Sequence, residues 1–278
     1  MSTSGGTIPL NLVVLVKPVV DPKAVVRFRP DGTIDRSAAK LVVNPYDKYA
    51  IEASVQLKEK FGGKAVGIAM APPHAADALR EVLAMGVDEM VLLSDPKLAG
   101  SDTLATSYAL SVAIKKVEQR LGSVDLVLCG IESSDSNTGH IGPEVGEWLG
   151  VPSVSYVDRI LEIKDGYAVV KRLIEGGYAV MKVKLPAVFS IAGTSYQPRI
   201  PSLRDVLAAR RKQIDVWNAD GVGLDPSLVG LVGSPTRVVK MWRIEIRRRG
   251  KIFTDSDVDV AIEKLLNELK KDGVPLGV

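Results

Sequence analysis

The sequence predicts an α/β fold with a doubly wound, mostly parallel sheet, an antiparallel hairpin extension and a C-terminal arm. Three observations support this prediction. Apolar, β-branched runs alternate with helical patterns through the first half of the chain, which is typical of a parallel sheet covered on both faces. After about residue 158 the pattern changes to short alternating strands broken by glycine turns. From about residue 203 turn residues dominate, and a helix follows near the end.

In the first half, each predicted strand is a short apolar run, and each predicted helix has apolar residues near helical spacing. Ser101 or Asp102 is expected to cap the third helix, and Gly86 is expected to end the second. The predicted strands are residues 11–16, 64–70, 89–95 and 125–130, and the predicted helices are residues 47–61, 74–86 and 101–122.

Beyond the fourth strand, residues 159–193 have the pattern of strands joined by tight turns. The pairs Asp165–Gly166 and Gly176–Gly177 are signals of hairpin turns. An antiparallel extension of the parallel sheet is the simplest arrangement of these strands. Residues 203–217 then predict a basic amphipathic helix.

The segment after residue 202 is interpreted as a separate arm. Its middle is rich in glycine and proline, and it leads to a predicted helix at 255–273, with Asp255 or Ser256 as the expected cap. Such a segment either packs on another protein or folds back onto its own domain, and both interpretations remain open at this point. The predicted division places the α/β domain at residues 1–202 and the arm with its terminal helix at residues 203–278.

Composition excludes several classes of protein. The chain has 278 residues, of which 46% are hydrophobic and 25% charged, and its net charge is +3, as in ordinary globular proteins. No basic stripe interleaved with aromatic residues indicates nucleic-acid binding. The apolar run LNLVVLV is too short to span a bilayer, and MSTSGGTIP lacks the features of a signal peptide. We therefore expect a cytoplasmic protein with no direct membrane insertion.

The small number of cysteine and histidine residues argues against a disulfide or a metal site. Cys129 is the single cysteine, and His74 and His140 are the two histidines, so no metal site is predicted. Cys129 ends an apolar run, where a small buried side chain is more common than a nucleophile. No side chain of this sequence is predicted to act as a catalyst.

The loop after the fourth predicted strand is the richest in polar groups. The stretch CGIESSDSNTGHIGPEVGEWLG passes through small and polar residues before a helix with Pro143 in its first turn. Its glycines allow backbone to approach a ligand closely, and a helix start favours a phosphate. Capping alone does not account for the whole run, so a nucleotide phosphate site is favoured, although neither the dinucleotide fingerprint nor the P-loop is present. The residues of interest are Asp135, Ser136, Asn137, Thr138, Gly139 and Gly142.

Two further positions follow predicted strands or precede predicted helices. Asn44–Pro45 forces an extended or turn conformation before a helix that Asp47 is placed to cap. A turn plus a cap would need no ligand. Lys17 follows the first strand and could meet an anion, although a single lysine is usually a solvated surface residue.

Several motifs, in their order and spacing, resemble those of one family. The motifs are VKPVVDP, NPYDKYAIEASVQLKEK, VLAMGVDEMVLLSD, DLVLCGIESSDSNTGHIGPEVGEWLGVPSVSYV and KRLIEGGYAVMKVKLPAVFSIAG. The last contains Arg172, then Glu175–Gly176–Gly177, then a Leu-Pro-Ala-Val strand that begins at Leu185. Together they resemble the beta (small) subunit of electron transfer flavoproteins over nearly the whole chain.

The resemblance implies a Rossmann-like, adenine-nucleotide-binding domain, and a heterodimer with an alpha subunit that carries an FAD. It also implies that the beta subunit holds an adenine nucleotide between two strand ends, the Asn-Pro-Tyr-Asp segment and the loop after the fourth strand. With Lys17 included, the predicted cofactor-binding residues are Leu15, Lys17, Asn44, Pro45, Tyr46, Asp47, Met70, Gly130, Asp135, Ser136, Asn137, Thr138, Gly139, His140, Ile141 and Gly142.

The resemblance allows two nucleotides at this site. Simple members hold a structural AMP, whereas electron-bifurcating members hold a second FAD, which receives electrons from NADH. Their loops resemble DDDxNQTGQ and DGDTAQVGP respectively, and the stretch here is DSNTGHIGP, in which Thr138 and Ile141–Pro143 resemble the bifurcating form. FAD is therefore favoured, with AMP as the alternative. Ile141 and Pro143 are expected to form an apolar wall suited to a flavin ring, and His140 is expected to bond a flavin or a phosphate.

The resemblance also bears on electron donors and acceptors. Ser195 lies where simple members carry a leucine that anchors dehydrogenases. This departure argues against docking to acyl-CoA dehydrogenases and is compatible with a different acceptor, such as a quinone oxidoreductase assembly. A low-potential acceptor such as a ferredoxin-like subunit is the second expected partner, and NADH is the expected donor. Membrane association is expected only through such partners. A non-redox subunit with permanently bound AMP remains an alternative.

Overall fold

The computed structural model describes residues 9–21, 40–193, 195–239, 250–254 and 257–275. The chain divides into two compact units, residues 1–239 and residues 240–278.

The first unit is built on a nine-stranded sheet, and a short two-stranded sheet lies beside it. The order in the large sheet is β11-β5-β4-β1-β6-β10-β7-β8-β9, and β2 pairs with β3 in the small one. The strands are β1 (Leu10–Leu15), β2 (Pro18–Val20), β3 (Leu41–Val43), β4 (Gly63–Met70), β5 (Glu89–Leu93), β6 (Leu126–Gly130), β7 (Ser153–Lys164), β8 (Tyr167–Ile174), β9 (Gly177–Lys184), β10 (Ala187–Ile191) and β11 (Asp215–Trp217).

Helices cover both faces of the parallel strands. Within β1, Leu12 and Val14 enter one buried cluster together with residues of α1 and α2, while Val13 and Leu15 enter a second with residues of α3 and α4. Successive residues of the strand therefore point to opposite faces of the sheet, and both faces are buried. This explains why the predicted strands are continuous apolar runs. The helices are α1 (Asp47–Phe61), α2 (Ala76–Ala84), α3 (Thr103–Leu121), α4 (Ile141–Leu149), α5 (Leu203–Arg211), α6 (Ala219–Val222) and α7 (Val258–Lys271).

The direction of winding reverses at β1. Strands β4, β5 and β11 follow on one side, and β6 and β10 on the other, all parallel to their neighbours. In sheets of this kind ligands bind beyond the carboxyl ends of the strands at the point of reversal. That point lies between the ends of β1 and β6, and the predicted α/β, doubly wound fold is confirmed.

The antiparallel extension is also confirmed, with one turn displaced by a residue. Strands β7 and β8 are joined at Asp165–Gly166, and both residues have positive φ, 51° and 75°, as a two-residue hairpin turn requires. The second turn is Glu175–Gly176 rather than Gly176–Gly177, because Gly177 is already the first residue of β9 and pairs with Ile174.

Residues 203–239 belong to the sheet unit, so the predicted boundary after residue 202 is wrong. The helix predicted over 203–217 ends at Arg211, and β11 then pairs in parallel with β5 at the edge of the sheet. Leu224 and Val229 are buried in the second cluster. The segment packs onto the sheet because this buries its apolar side chains. The structural division lies between residues 239 and 240.

The second unit contains α7. Its N-cap is Asp257, whose carboxylate accepts a hydrogen bond from the backbone N–H of Asp259; the predicted caps, Asp255 and Ser256, lie outside the described residues. No residue of α7 is buried. Its exposed apolar residues are Val258, Val260, Ile262, Leu265 and Leu266. Across the described residues, no helix has both the length and the apolar character needed to cross a bilayer.

Candidate functional site

The loop that follows β6 meets the end of β1 at the point where the sheet reverses its winding. The ammonium of Lys17, two residues beyond β1, lies 2.6 Å from a carboxylate oxygen of Asp135. It also lies 3.2 Å from the hydroxyl of Ser133 and 3.5 Å from that of Ser136. The two serine hydroxyls bond to each other at 2.7 Å. Lys17 is therefore the centre of a polar cluster drawn from both strand ends.

The Lys17–Asp135 ion pair faces solvent. The two side chains are 45% and 36% exposed, so a ligand can reach both. Partial burial alone would raise the pKa of Asp135, but the hydrogen bond and the charge of Lys17 outweigh it and hold that pKa below its usual value. Because Asp135 is the present counter-ion of Lys17, an anionic ligand would have to share or displace it.

Asp47 lies beneath this cluster and joins the two strand ends. Its carboxylate accepts hydrogen bonds from the backbone N–H of Lys17 at 2.7 Å and of Gly130 at 3.3 Å, and from the side-chain amide of Asn44 at 2.9 Å. Burial raises the pKa of Asp47 to about 7. The prediction that Asp47 caps α1 is wrong: Tyr46 holds the N-cap position, and its side chain makes no capping hydrogen bond within the described part of the chain.

Asn44 binds the backbone of the loop through both the nitrogen and the oxygen of its side-chain amide. Its amide N–H donates to the backbone carbonyl of Glu132 at 2.8 Å, and its carbonyl oxygen accepts from the backbone N–H of Ser134 at 3.1 Å. Asn44 is 1% exposed and Asp47 5% exposed. These two side chains therefore position the loop and have little surface with which to contact a ligand.

The glycines of the site make room for protein atoms. A Cβ on Gly130 would lie 2.5 Å from a carboxylate oxygen of Asp47. A Cβ on Gly142 would lie 2.6 Å from the hydroxyl oxygen of Ser190. Glycine at position 142 is therefore required by packing against the sheet, and the approach of its backbone to a ligand stays a prediction. Gly139 has a φ of +69°, so it serves the turn of the loop.

At the start of α4, side chains from the first turns of α3 and α4 lie together with that of His140, the N-cap residue of α4. The hydroxyl of Thr103, the first residue of α3, is 3.1 Å from a carboxylate oxygen of Glu144 and 3.4 Å from Nδ1 of His140. The second carboxylate oxygen of Glu144 is buried and has no hydrogen-bond partner among the described residues. Neither Thr103 nor Glu144 was predicted; the only available signal was an acidic residue in the first turn of the helix.

The remaining predicted residues fall into two groups. Leu15 is buried in the core, and the half-buried side chains of Met70 and Ile141 pack against the same cluster, so the expected apolar wall is at most partial. Tyr46 is half-buried, and the rest of the second group is exposed around the loop: Pro45, Asn137, Thr138, His140 and Pro143.

The donor set fits the oxygen-rich part of a nucleotide. One ammonium and several hydroxyl groups face solvent at the end of a parallel sheet, which suits phosphate and sugar oxygens. Cys129 is not a reactive thiol of this site, because it is buried and burial raises its pKa to about 12.

Comparison with known proteins agrees with this architecture. The electron transfer flavoprotein domain matches residues 31–222. An electron transfer flavoprotein subunit beta of Thermoanaerobacterium thermosaccharolyticum is 38% identical, with 94% of this chain and 98% of the relative covered. Protein FixA of Azorhizobium caulinodans is 35% identical, with 94% of each chain covered. The caffeyl-CoA reductase-Etf complex subunit CarD of Acetobacterium woodii is 36% identical, with 94% and 98% covered.

The family match spans more than half of the chain, and relatives above 30% identity cover nearly all of it. The matched residues 31–222 include most of the parallel sheet, its antiparallel extension and the polar loop at the point of reversal. The chain belongs to the electron transfer flavoprotein family, as a beta subunit.

Proposed function

We propose that this chain pairs with an alpha subunit carrying FAD, and that Lys17 and the loop over 131–140 hold a second nucleotide in this subunit. The observation that carries the proposal is the cluster of Lys17, Ser133, Asp135 and Ser136, which lies solvent-exposed where the winding of the sheet reverses. A bound flavin supplies electron-carrying chemistry, and the protein supplies its position and surroundings.

The residues of the chain have separate roles in this proposal. Lys17 and the serine hydroxyls bind phosphate or sugar oxygens. Asn44 and Asp47 act through the backbone, because their buried side chains fix the loop and the strand ends. No side chain of this subunit is assigned a proton-transfer step.

We propose FAD as the nucleotide of this subunit, with electron bifurcation as the activity of the complex. Thr138 and the Ile141–Pro143 ending of the loop support this choice. AMP is the second candidate, and one observation favours it: Ile141 packs partly into the core, which leaves less apolar surface for a flavin ring. With AMP bound, the complex would shuttle electrons from dehydrogenases through the FAD of the alpha subunit.

We further propose NADH as the electron donor, and a quinone-type and a low-potential, ferredoxin-like acceptor. The name of CarD describes it as a subunit of a reductase-Etf complex, and an assembly with further subunits is proposed here by analogy. The exposed apolar residues of α7 support the second unit as an arm that contacts the alpha subunit. A cytoplasmic location, with membrane association only through partners, completes the proposal.

The nucleotide content of the purified heterodimer tests this proposal. The complex is denatured, and the released FAD and AMP are counted per heterodimer. Two FAD and no AMP are expected. One FAD and one AMP would establish the simple shuttle, and one FAD alone would overturn the nucleotide role of the loop.

Lys17→Ala adds a test of the residues. It is expected to weaken nucleotide retention by about tenfold, which is the lower end of the roughly 1.5–3 kcal/mol that a charge-assisted hydrogen bond contributes, because the nucleotide must share Lys17 with Asp135. Lys64→Ala is the matched control: Lys64 is 53% exposed and ion-paired with Glu89 at 3.0 Å, but it lies at the amino end of β4. An equal loss in both variants would contradict the placement of the site.

A further inference from the structure

Thr103 lies between a carboxylate and an imidazole, and this arrangement determines where its hydrogen points. A hydroxyl has one hydrogen to donate and can accept others. The carboxylate of Glu144 is both the stronger acceptor and the nearer one, at 3.1 Å against 3.4 Å for Nδ1 of His140. The Thr103 hydrogen therefore goes to Glu144, and the Thr103 oxygen is left as an acceptor.

The state of the His140 ring follows from this. Facing an acceptor, Nδ1 makes a hydrogen bond only if it carries the ring hydrogen. In a neutral imidazole with its hydrogen on Nδ1, the lone pair lies on Nε2. His140 is exposed, so the opposite side of its ring, which carries Nε2, is available to a ligand.

The environment of Glu144 supports a role beyond packing. One of its carboxylate oxygens is buried without a partner among the described residues, and such an atom destabilises a fold. An apolar residue at this position would avoid that penalty, but it would leave the Thr103 hydroxyl free to rotate toward the histidine.

We propose that Glu144 and Thr103 are positioning residues that hold His140 as its Nδ1-protonated tautomer, so that Nε2 accepts a hydrogen bond from an N–H or O–H group of the bound nucleotide. The identity of the ligand rests on the proposed function above. A neutral ring in this tautomer has no hydrogen on Nε2, so it recognises a base, ring or sugar donor and does not bond a phosphate.

The ring nitrogens can be observed directly. The chain is labelled with ¹⁵N-histidine and assembled with an unlabelled alpha subunit, so only His74 and His140 give signals. His74→Gln assigns the two. At alkaline pH, the tautomer ratio of His140 is expected to be shifted toward the Nδ1–H form by roughly tenfold relative to that of His74, the shift that one ordinary hydrogen bond supports. His74 is the internal reference.

Variants separate the hydrogen-bond arrangement from general packing. Thr103→Val keeps the shape and removes the hydroxyl, so the preference of His140 is expected to disappear. Thr106→Val, one turn further along α3, is the matched control and is expected to leave it unchanged. Glu144→Gln keeps an oxygen acceptor and is expected to retain the preference, whereas Glu144→Ala loses it. An Nε2–H tautomer in the unmodified chain, or no change in Thr103→Val, would overturn the proposal.

Nucleotide binding is read in the same spectra. The heterodimer is stripped of nucleotide and then loaded with AMP or with FAD, and the Nε2 signal of His140 is expected to move while that of His74 does not. Full loading without a change at Nε2 would overturn the acceptor role and leave the proposed function intact. Failure of both nucleotides to bind would overturn the proposed function and the acceptor role together, and the Thr103→Val comparison would still report the tautomer.

Discussion

Asp47 is the residue through which the two central strands are joined at the candidate site. It is buried, and its carboxylate accepts two backbone hydrogen bonds and one side-chain hydrogen bond. Burial outweighs these bonds and raises its pKa from 3.8 to about 7. The protonation of Asp47 is therefore coupled to folding near neutral pH.

The first prediction follows from the sign of this shift. The folded chain holds a proton that the unfolded chain releases between about pH 4 and about pH 7. The contribution of Asp47 to the free energy of unfolding therefore falls as the pH rises across that window, by roughly 1 kcal/mol per pH unit, and is constant above it. Asp47→Asn has no titrating group, so the fall is expected to be smaller in this variant.

Urea unfolding at several pH values between 5 and 8 measures the difference between the two chains. Asp135→Asn is the control. The pKa of Asp135 is lowered, so its contribution is present above its unfolded value and is lost only as the pH falls below that value, outside the window. A pH dependence in Asp47→Asn equal to that of the unmodified chain would contradict the role of Asp47.

At the scale of elements, the loop of the site is held in place by hydrogen bonds from a different segment of the chain. The connection from β3 to α1 supplies Asn44, which holds the loop between β6 and α4 through the backbone of Glu132 and Ser134. The loop therefore does not keep its shape by its own contacts alone. Its conformation depends on the connection between β3 and α1.

The second prediction concerns this support. Asn44→Ala removes both hydrogen bonds to the loop, together with the one to Asp47, and leaves two loop backbone groups without their partner. Nucleotide affinity is expected to fall about thirtyfold, since two bonds to the loop are lost and each contributes about 1 kcal/mol. Asn11→Ala is the control, because Asn11 lies at the amino end of β1. Titration of stripped heterodimer with AMP or FAD measures the affinities, and equal losses in the two variants would count against Asn44.

The elements that could be predicted from the sequence are those whose pattern is local. Helix α1 was predicted at 47–61 and lies there, because its spacing of apolar residues is complete within the segment. Strand β11 was missed, since three residues in a helix-like run become a strand only by pairing with β5. The hydrogen bonds of Asp47 to the end of β6 and of Asn44 to the loop span 83–90 positions. Sequence spacing does not reveal partners at that distance.

At the scale of the whole molecule, we expect the first unit to provide the stability of the fold and the second unit to contact the partner. Both buried clusters lie within residues 10–229, whereas α7 of the second unit contributes no buried residue. The first unit therefore has the core it needs, and the second offers exposed apolar surface.

The third prediction separates these roles. Deleting residues 240–278 is expected to shift the thermal unfolding midpoint of the isolated chain by less than about 4 °C, a change of roughly 1 kcal/mol for a unit of this size. Affinity for the alpha subunit is expected to fall at least tenfold, as measured by titration calorimetry.

A point variant supports the deletion. Leu265→Asp in the full chain introduces a charge on the exposed apolar face of α7 and is expected to weaken the same contact. Asn267→Asp adds the same charge two residues along the helix, off that face, and serves as the control. An unchanged affinity of the deletion variant for the alpha subunit would show that residues 240–278 do not contribute to the interface.

The ion pair of Lys17 with Asp135 makes anion binding an exchange of partners. A phosphate that reaches the ammonium replaces a carboxylate already at 2.6 Å, so the net gain is the difference between two attractions rather than the whole of one. Salt screens both attractions alike. The affinity of this subunit for its nucleotide is therefore expected to vary less with ionic strength than that of a site with an unpaired lysine, and small inorganic anions gain little by entering it.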